Sequence, residues 1–220
     1  MTVVVKTAIM IPAFNEADSI SAVVAEVKGY GVPIVIDDAS RDETGRQAAA
    51  AGAIVVRHEE NRGYDAALQS GFRKAEEIGA ECIVTIDADG QLDSVAIRPA
   101  LDQLEGPAQF VLGVRTKGAA RFAEALFNLY ARHRFNVPDI LCGLKAFRTE
   151  AYVRHRDRAG GGSVHTALAL ALLREGAPFA LVPVTVRPRR GTSRYGCVWR
   201  GNVRILRALA GALRDDLLAR

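Results

Sequence analysis

The sequence is poor in several things, and each shortage closes off a class of protein. Three cysteines, Cys82, Cys142 and Cys197, stand far apart in 220 residues with no C-x-x-C among them. An odd, scattered set makes no disulfide framework and reads as reduced thiols of a cytoplasmic protein. No apolar run approaches the ~18 residues of a membrane span, and the first residues lack the charged-then-apolar shape of a signal peptide. The four histidines, His58, His133, His155 and His165, show no H-x-x-x-H spacing, which leaves zinc chemistry without a ligand set. Aromatics make up 6% of the chain, and with no nucleic-acid motif present, no nucleic-acid partner is expected. A G-x-x-x-x-G-K-[ST] sequence is missing, as is a G-x-G-x-x-G after the first apolar run. Neither a P-loop nucleotidase nor a dinucleotide-binding enzyme therefore fits.

What remains is ordinary globular composition, 49% hydrophobic and 25% charged. A domain of this length buries roughly three quarters of the surface its unfolded chain exposes and needs no disulfide or structural metal. The net charge of +4 is unevenly placed. Residues 187–220 carry nine arginines against Asp215 and Asp216, a local +7 that leaves −3 for the rest. Charge concentrated in this way marks a place for something anionic.

Short apolar runs rich in β-branched residues recur at Val3–Ile11, Pro33–Ile36, Ala53–Val56, Cys82–Ile86 and Phe110–Val114. Between them lie helix-period stretches at Ala17–Val27, Thr44–Ala51, Tyr64–Ile78 and Ser94–Leu104, with N-cap candidates at Asn15 to Asp18 and at Asp93-Ser94. Such alternation predicts βαβ units and a mostly parallel sheet. Further on come a basic amphipathic stretch (Ala119–Phe135), a compact segment (Asp139–Arg148), a helix near 164–174, a strand at Phe179–Val186, a loop at Arg187–Gly196 and a last helix. With no repeat or linker, residues 1–220 read as one α/β domain.

In open parallel sheets ligands bind beyond the carboxyl ends of the strands, and four predicted strands end in polar residues. These are Pro12-Ala-Phe-Asn-Glu16, Asp37-Asp-Ala-Ser40, Asn61-Arg-Gly63 and Asp87-Ala-Asp-Gly-Gln91. Any one of these could simply start a turn; four at one edge point to a shared site. The sharpest is Asp87-Ala-Asp89. Residues two apart on a strand share a face, so both carboxylates can enter one crevice. Their mutual repulsion would be relieved by a hard divalent cation, with Gln91 as a neutral oxygen ligand. An EF-hand begun at Asp87 is excluded, because Leu92 and Arg98 stand where it needs Gly and Glu.

Taken together, Ile11-Pro-Ala-Phe-Asn-Glu-Ala, Val35-Ile-Asp-Asp-Ala-Ser-Arg-Asp-Glu-Thr, Asn61-Arg-Gly-Tyr-Asp-Ala-Ala…Gly71 and Asp87-Ala-Asp-Gly-Gln resemble a family 2 glycosyltransferase. Gly113-Val-Arg115, Phe122–Asn128, Asp139-Ile-Leu-Cys-Gly-Leu-Lys-Ala-Phe-Arg148 and Pro188-Arg-Arg-Gly-Thr-Ser-Arg-Tyr-Gly196 are similar to the dolichyl-phosphate mannosyltransferase and glucosyltransferase branch. The resemblance implies a GT-A fold, Rossmann-like with a mostly parallel sheet flanked by helices. Its nucleotide-sugar half would cover about 6–115 and its acceptor half about 116–200, with an amphipathic helix over 197–220. It implies a metal-dependent inverting transfer from a UDP- or GDP-sugar to a polyprenyl or dolichyl phosphate.

Carried onto this chain, the resemblance puts Pro12, Phe14 and Glu16 around the base and ribose, with Asp38 accepting from the base. Asn61, Gly63 and Gly71 would let backbone approach the nucleotide. Asp87, Asp89 and Gln91 would hold Mg²⁺ or Mn²⁺ against the diphosphate, and Arg190 and Arg194 would close over it as the leaving group departs. Arg115, Arg134 and Cys142 would grip the acceptor phosphate. Leu144 stands where relatives usually carry an aromatic residue, and Arg194 where lysine is common. A phosphate monoester, with a second pKa near ~6, is its own nucleophile at pH 7. A hydroxyl acceptor would instead need a base, for which Asp139 is the candidate.

Other readings stand beside this one. The acceptor could be a soluble hydroxyl compound, or the chain could be a non-catalytic nucleotide-sugar-binding subunit. The last helix puts Trp199, Val203, Leu206, Ala210, Leu213 and Leu217 on one face beside an arginine stripe. That face either docks on the sheet, as any globular helix does, or lies on an anionic membrane, giving a peripheral location at its inner surface.

Overall fold

The computed structural model describes residues 7–116, 121–156, 164–188 and 198–218. A seven-stranded sheet runs through it in the order β3-β2-β1-β4-β6-β5-β7. The strands are β1 (Thr7–Ala13), β2 (Val32–Asp37), β3 (Ile54–Arg57), β4 (Cys82–Thr85), β5 (Phe110–Arg115), β6 (Lys145–Arg148) and β7 (Phe179–Val184). β1 pairs in parallel with β2 and β4, β2 with β3, and β5 with β7. Only β6 runs the other way, between β4 and β5.

β1 is buried along its whole length, which explains its continuous apolar run: a strand covered on both faces has no polar side to alternate with. Its pleat divides the core in two. Ala8 and Met10, with Ile34 and Ile36 of β2, face one layer. That layer is closed by α3 (Tyr64–Glu77), α5 (Phe122–Phe135), α6 (Thr149–His155), α7 (Val164–Arg174) and α8 (Val198–Leu218). Ile9, Ile11 and Val35 face the other, closed by α1 (Ile20–Val27), α2 (Thr44–Ala50) and α4 (Ile97–Glu105). Gly71 of α3 belongs to this packing: a Cβ there would lie 2.8 Å from Ile36 Cδ1 and 3.1 Å from Met10 Sδ. The glycine lets helix and sheet approach closely, and it lies inside the core, away from any ligand.

Several elements differ from the sequence-based expectation. α1 begins at Ile20, because Ser19 N–H and Ile20 N–H both donate to Glu16 O at 3.1 and 2.9 Å in a preceding turn. Asn15 lies outside that helix. Asp93 caps the 3-10 turn Ser94–Ala96 that leads into α4, accepting from Val95 N–H at 3.1 Å. The strand expected to reach Val186 ends at Val184, and Val186 makes only an isolated bridge to Leu92. The segment Asp139–Arg148 contains β6, and α6 follows it directly; neither stood out in the sequence. Cys82 and Cys142 form no disulfide among the described residues.

α8 is tied down at its C-terminal end. Asp216 accepts from Arg174 Nε at 2.7 Å and from Tyr130 Oη at 2.8 Å, and Arg174 Nη2 donates to Ala212 O at 2.9 Å. Burial pushes the Asp216 carboxyl up, but the bonds from Arg174 and Tyr130 outweigh it and hold the group below its ordinary 3.8. With the folded value below the unfolded one, this contribution is complete above pH 3.8 and is lost as pH falls through the folded value. Asp216→Asn is therefore expected to lower stability at neutral pH by about 1 kcal/mol, the scale of a charged hydrogen bond still partly open to water. Denaturant melts should show the gap between wild type and variant closing as pH falls below 3.8.

Candidate functional site

The sheet changes direction of growth at β1, whose neighbours β2 and β4 are reached by opposite routes, and a crevice forms at such a switch point. A cavity of about 340 Å³ occupies it. Pro12, Phe14 and Glu16 line it from beyond β1, Asp38 from β2, and Asn61 and Gly63 from the β3–α3 loop; Asp87 and Asp89 line it from beyond β4. The residues expected around the nucleotide, Gly71 apart, thus line one cavity.

Polar bonds between loops fix this wall. Asn15, at φ 54°, donates its N–H to Ser40 Oγ (2.9 Å) and accepts from Arg41 N–H through Oδ1 (2.7 Å). Glu16 N–H donates to Thr44 Oγ1 at 2.8 Å. Ala39 also takes a left-handed φ, 61°; a strained non-glycine residue of this kind is tolerated when its surroundings over-determine the turn. Asp38 is the hub. Its Oδ1 accepts from Arg62 N–H at 2.9 Å and faces His58 Nδ1 at 2.7 Å, while its Oδ2 accepts from Gly63 N–H at 2.7 Å. Gly63 sits at φ 86°, a conformation glycine adopts without a Cβ clash. His58 Nε2 faces Ser70 Oγ at 2.9 Å, and Ser70 Oγ accepts from Arg73 at 3.2 Å. A carboxylate can only accept, so Nδ1 donates to Asp38.

The two acids lie just past β4, in the turn that follows it. Tyr64 Oη donates to Asp87 Oδ1 at 3.2 Å, and Gln91 N–H donates to Asp89 Oδ1 at 3.0 Å. Gly143 packs so tightly against the Asp87 carboxylate that a Cβ there would collide with Oδ2. Burial, and then repulsion from Asp89, push Asp87 up to about 6 against the pull of Tyr64, Lys145 and Arg115. Two carboxylates repelling each other at the mouth of a cavity suit a divalent cation. Mg²⁺ in particular is bound by one or two carboxylates together with substrate phosphates. No group of three or more His, Cys, Asp or Glu side chains gathers among the described residues, so the protein's share of such a site would be these two acids, with Gln91 close by.

A second cavity, of about 440 Å³, opens against the first and shares Tyr64, Asp87, Asp89 and Arg204 with it. Gln91, Arg115 and Arg121 line its polar side; Phe127, Leu141 and Ile205 line its apolar side. Of the residues expected at the acceptor, Arg115 is present, but its charge is heavily engaged. Its Nε and Nη2 donate to Asp139 at 2.7 and 3.0 Å, and its Nη1 to Glu124 at 3.2 Å. Arg134 lies elsewhere, 53% exposed, 3.6 Å from Asp216 and stacked on Phe135. Cys142 is 1% exposed and lines neither cavity; burial raises its thiol to about 11, and its neighbour Gly143 holds the wall instead. Asp139 is also buried and lines neither cavity. Burial pushes its carboxyl up, but Arg115 outweighs this and holds it below the ordinary range, which makes it a poor base. Arg190 and Arg194 lie outside the described residues.

Three further residues matter that sequence reasoning left without a role. Tyr64 opens α3 and touches Asp87. Lys145, wholly buried on β6, donates to Cys142 O at 2.5 Å, and burial lowers it to about 8 in spite of Cys142, Asp139 and Asp87. Arg204, one of the arginines beside the apolar face of the last helix, lines both cavities.

Known proteins resemble the chain in sequence and in fold. The chain is 28% identical over 201 residues to glycosyltransferase AglJ of Haloferax volcanii, covering 82% of this chain and 63% of that one. It is 28% identical over 177 residues to the UDP-N-acetylglucosamine–dolichyl-phosphate N-acetylglucosaminyltransferase of Methanococcus voltae, covering 65% and 69%. It spans about a third to about two thirds of the length of the curated relatives it matches. Among solved structures, glucosyl-3-phosphoglycerate synthase from Mycobacterium tuberculosis, in complex with Mn²⁺, UDP-glucose and phosphoglyceric acid, superimposes with a TM-score of 0.74. That match has 20% identity and covers 94% of this chain and 79% of the other, a likeness of GT-A fold. The model for glycosyl transferase family 2 matches residues 8–155, and the chain belongs to that family.

Proposed function

We propose that the protein transfers a sugar, with inversion, from a UDP- or GDP-sugar to a polyprenyl phosphate-type acceptor, using Mg²⁺ or Mn²⁺. The observation that carries this reading is the junction of two cavities at Asp87 and Asp89. One is walled by the Pro12, Phe14 and Asp38 segments, the other by arginines on one side and apolar groups on the other. The donor lies in the first, its base against Pro12 and Phe14 and within reach of Asp38, whose orientation His58 and the Arg62 and Gly63 amides fix. Asp87, Asp89 and Gln91 would hold the metal ion. The bound cation supplies positive charge for the diphosphate in the ground state and as it leaves.

The acceptor phosphate enters the second cavity as a dianion and attacks the anomeric carbon in line. A new C–O bond to phosphate forms as the bond to the diphosphate breaks, the electron pair leaving on the nucleoside diphosphate. Arg190 and Arg194 are assigned to that departing charge. No protein base is needed, which accords with an Asp139 locked to Arg115. Arg115 in turn is oriented by Asp139 and Glu124 where it lines the cavity.

The outer faces of two helices support a lipid-linked acceptor. α5 and α8 pack on each other and both wall the second cavity. On the apolar face that the sequence marks on α8, Leu206, Leu213 and Leu217 are 39%, 46% and 72% exposed, while Leu209 and Ala212 make the docking face. Phe122, Leu126 and Leu129 form a matching exposed stripe on α5, at 79%, 38% and 62%, and Arg207 and Arg214 are exposed beside the leucines. Apolar stripes flanked by arginine suit an anionic membrane surface. No described helix is long and apolar enough to cross a membrane.

Calorimetry with UDP and GDP tests the donor side. At least one should bind with Mn²⁺ or Mg²⁺ and lose roughly ten-fold or more in affinity, about 1.4 kcal/mol, in Asp89→Asn. Gly143→Ala, which removes no functional group, should weaken the same metal-dependent binding by displacing Asp87. Failure of both nucleotides to bind, with or without metal, would sink the reading. Flotation with anionic vesicles tests the membrane side. The wild type should float at moderate salt, and Leu213→Ser with Leu217→Ser should lower the bound fraction several-fold; a wild type that stays at the bottom removes the membrane surface from the account.

A further inference from the structure

We infer that Arg204 is a phosphate-binding residue of the transfer site, kept in position by Asp65 until an anionic substrate arrives, so that α8 is a working wall of the site. This rests on the reading above. Among the described residues, four line both cavities, and Arg204 is the one cation of the four. The other three, Tyr64, Asp87 and Asp89, bring two negative charges to a place where substrate phosphates must also gather. A positive charge at that point has an electrostatic purpose that a solvent-facing arginine would lack.

Its contacts fit a residue that can let go. The Nη2 of Arg204 donates to Asp65 Oδ2 at 2.8 Å, with the two side chains 49% and 35% exposed. The bond uses a single oxygen of the carboxylate: Asp65 Oδ1 is buried without a hydrogen-bond partner. Ion pairs this open to water contribute little to stability. A guanidinium meeting a phosphate can instead form two parallel charge-assisted bonds. The guanidinium carbon also stands 5.9 Å from the centre of the Tyr64 ring, whose hydroxyl donates to Asp87. Arg204 thus sits one side chain away from the candidate metal carboxylate.

α8 is built to hold it there. The far end of the helix is pinned by Asp216, and Leu209 and Ala212 dock it on the core. One turn before Arg204, on the same side of the helix, Gly201 makes room for another cation: a Cβ there would collide with Arg121 Nη1. The glycine lets α8 approach until Arg204 and Arg121 line one cavity.

The ligand chemistry is a phosphate oxygen, supplied by either the donor diphosphate or the acceptor monophosphate. Binding should be measured for UDP and GDP with Mn²⁺, for uridine and guanosine, and for inorganic phosphate as a probe of the acceptor cavity. The proteins are wild type, Arg204→Gln, Arg204→Lys and Asp65→Asn, each checked for an unchanged melt. Arg204→Gln should weaken the nucleoside diphosphate ten-fold or more if the donor is the source, or inorganic phosphate by a like factor if the acceptor is. Arg204→Lys should keep part of the affinity and Asp65→Asn all of it or more, with nucleoside binding unaffected in every variant. Equal phosphate affinities in wild type and Arg204→Gln would overturn the inference alone. Equal losses in Arg204→Gln and Asp65→Asn would overturn it too, because the ion pair would then be structural. A wild type that binds neither nucleoside diphosphate nor phosphate would overturn both it and the proposed function.

Discussion

Repulsion between Asp87 and Asp89 is the constraint around which the site is arranged. The two carboxylates follow a four-residue strand in the middle of the sheet, next to the point where strand order reverses. One of them is so enclosed that its proton affinity rises to about 6. Such a pair is costly to keep unless something positive shares the space. The surroundings moderate the cost without removing it: Tyr64 donates to Asp87, buried Lys145 lies within electrostatic reach, and Gly143 yields the volume that any side chain would take. The remaining charge is what a divalent cation and the diphosphate it carries would meet.

Around that point the chain divides its labour between the two halves of the sheet. The β1, β2 and β3 side makes a wall of backbone amides and short polar side chains, drawn together by Asp38 and Asn15. The β5, β6 and α8 side contributes arginines, each held by an acid: Arg115 by Asp139 and Glu124, and Arg204 by Asp65. The degree of burial separates the two pairs. Arg115 is 19% exposed and Asp139 8%, so its bidentate bond is rigid and fixes the cavity wall. The Arg204 pair is open to water and can exchange partners. An acid that neutralises an arginine in one place can hold another in reserve.

Much of this was legible in the sequence, and the reason is physical. The parallel strands are short apolar runs with polar residues where they end, and those ends are where a parallel sheet keeps its ligands; hence Pro12, Phe14, Asp38, Asn61, Asp87 and Asp89 could be named and are found together. The rest depended on contacts between distant positions. β6 is four residues long and starts with a buried lysine, so no apolar pattern announced it. His58 is joined to Asp38 across 20 residues and to Ser70 across 12, which no local motif reports. Arg115 and Asp139, 24 apart, are each other's partners, a pairing that neither local sequence announces. The last helix carries two apolar stripes, and its sequence alone leaves open which one docks. Leu206, Leu213 and Leu217 face outward, Leu209 and Ala212 dock, and Arg204 lines both cavities, because packing against α5 and α7 chose the face.

The central claim is that a nucleotide sugar in the first cavity meets a phosphate nucleophile in the second. Its most direct test is transfer itself. Purified protein would be given UDP- and GDP-sugars with Mn²⁺ or Mg²⁺ and offered, in parallel, a polyprenyl monophosphate and a set of soluble hydroxyl acceptors, with the anomeric configuration of any product determined. The account predicts a phosphate-linked product of inverted configuration that disappears on chelation of the metal. Transfer to the hydroxyl acceptors with none to the phosphate, or a product of retained configuration, would contradict it.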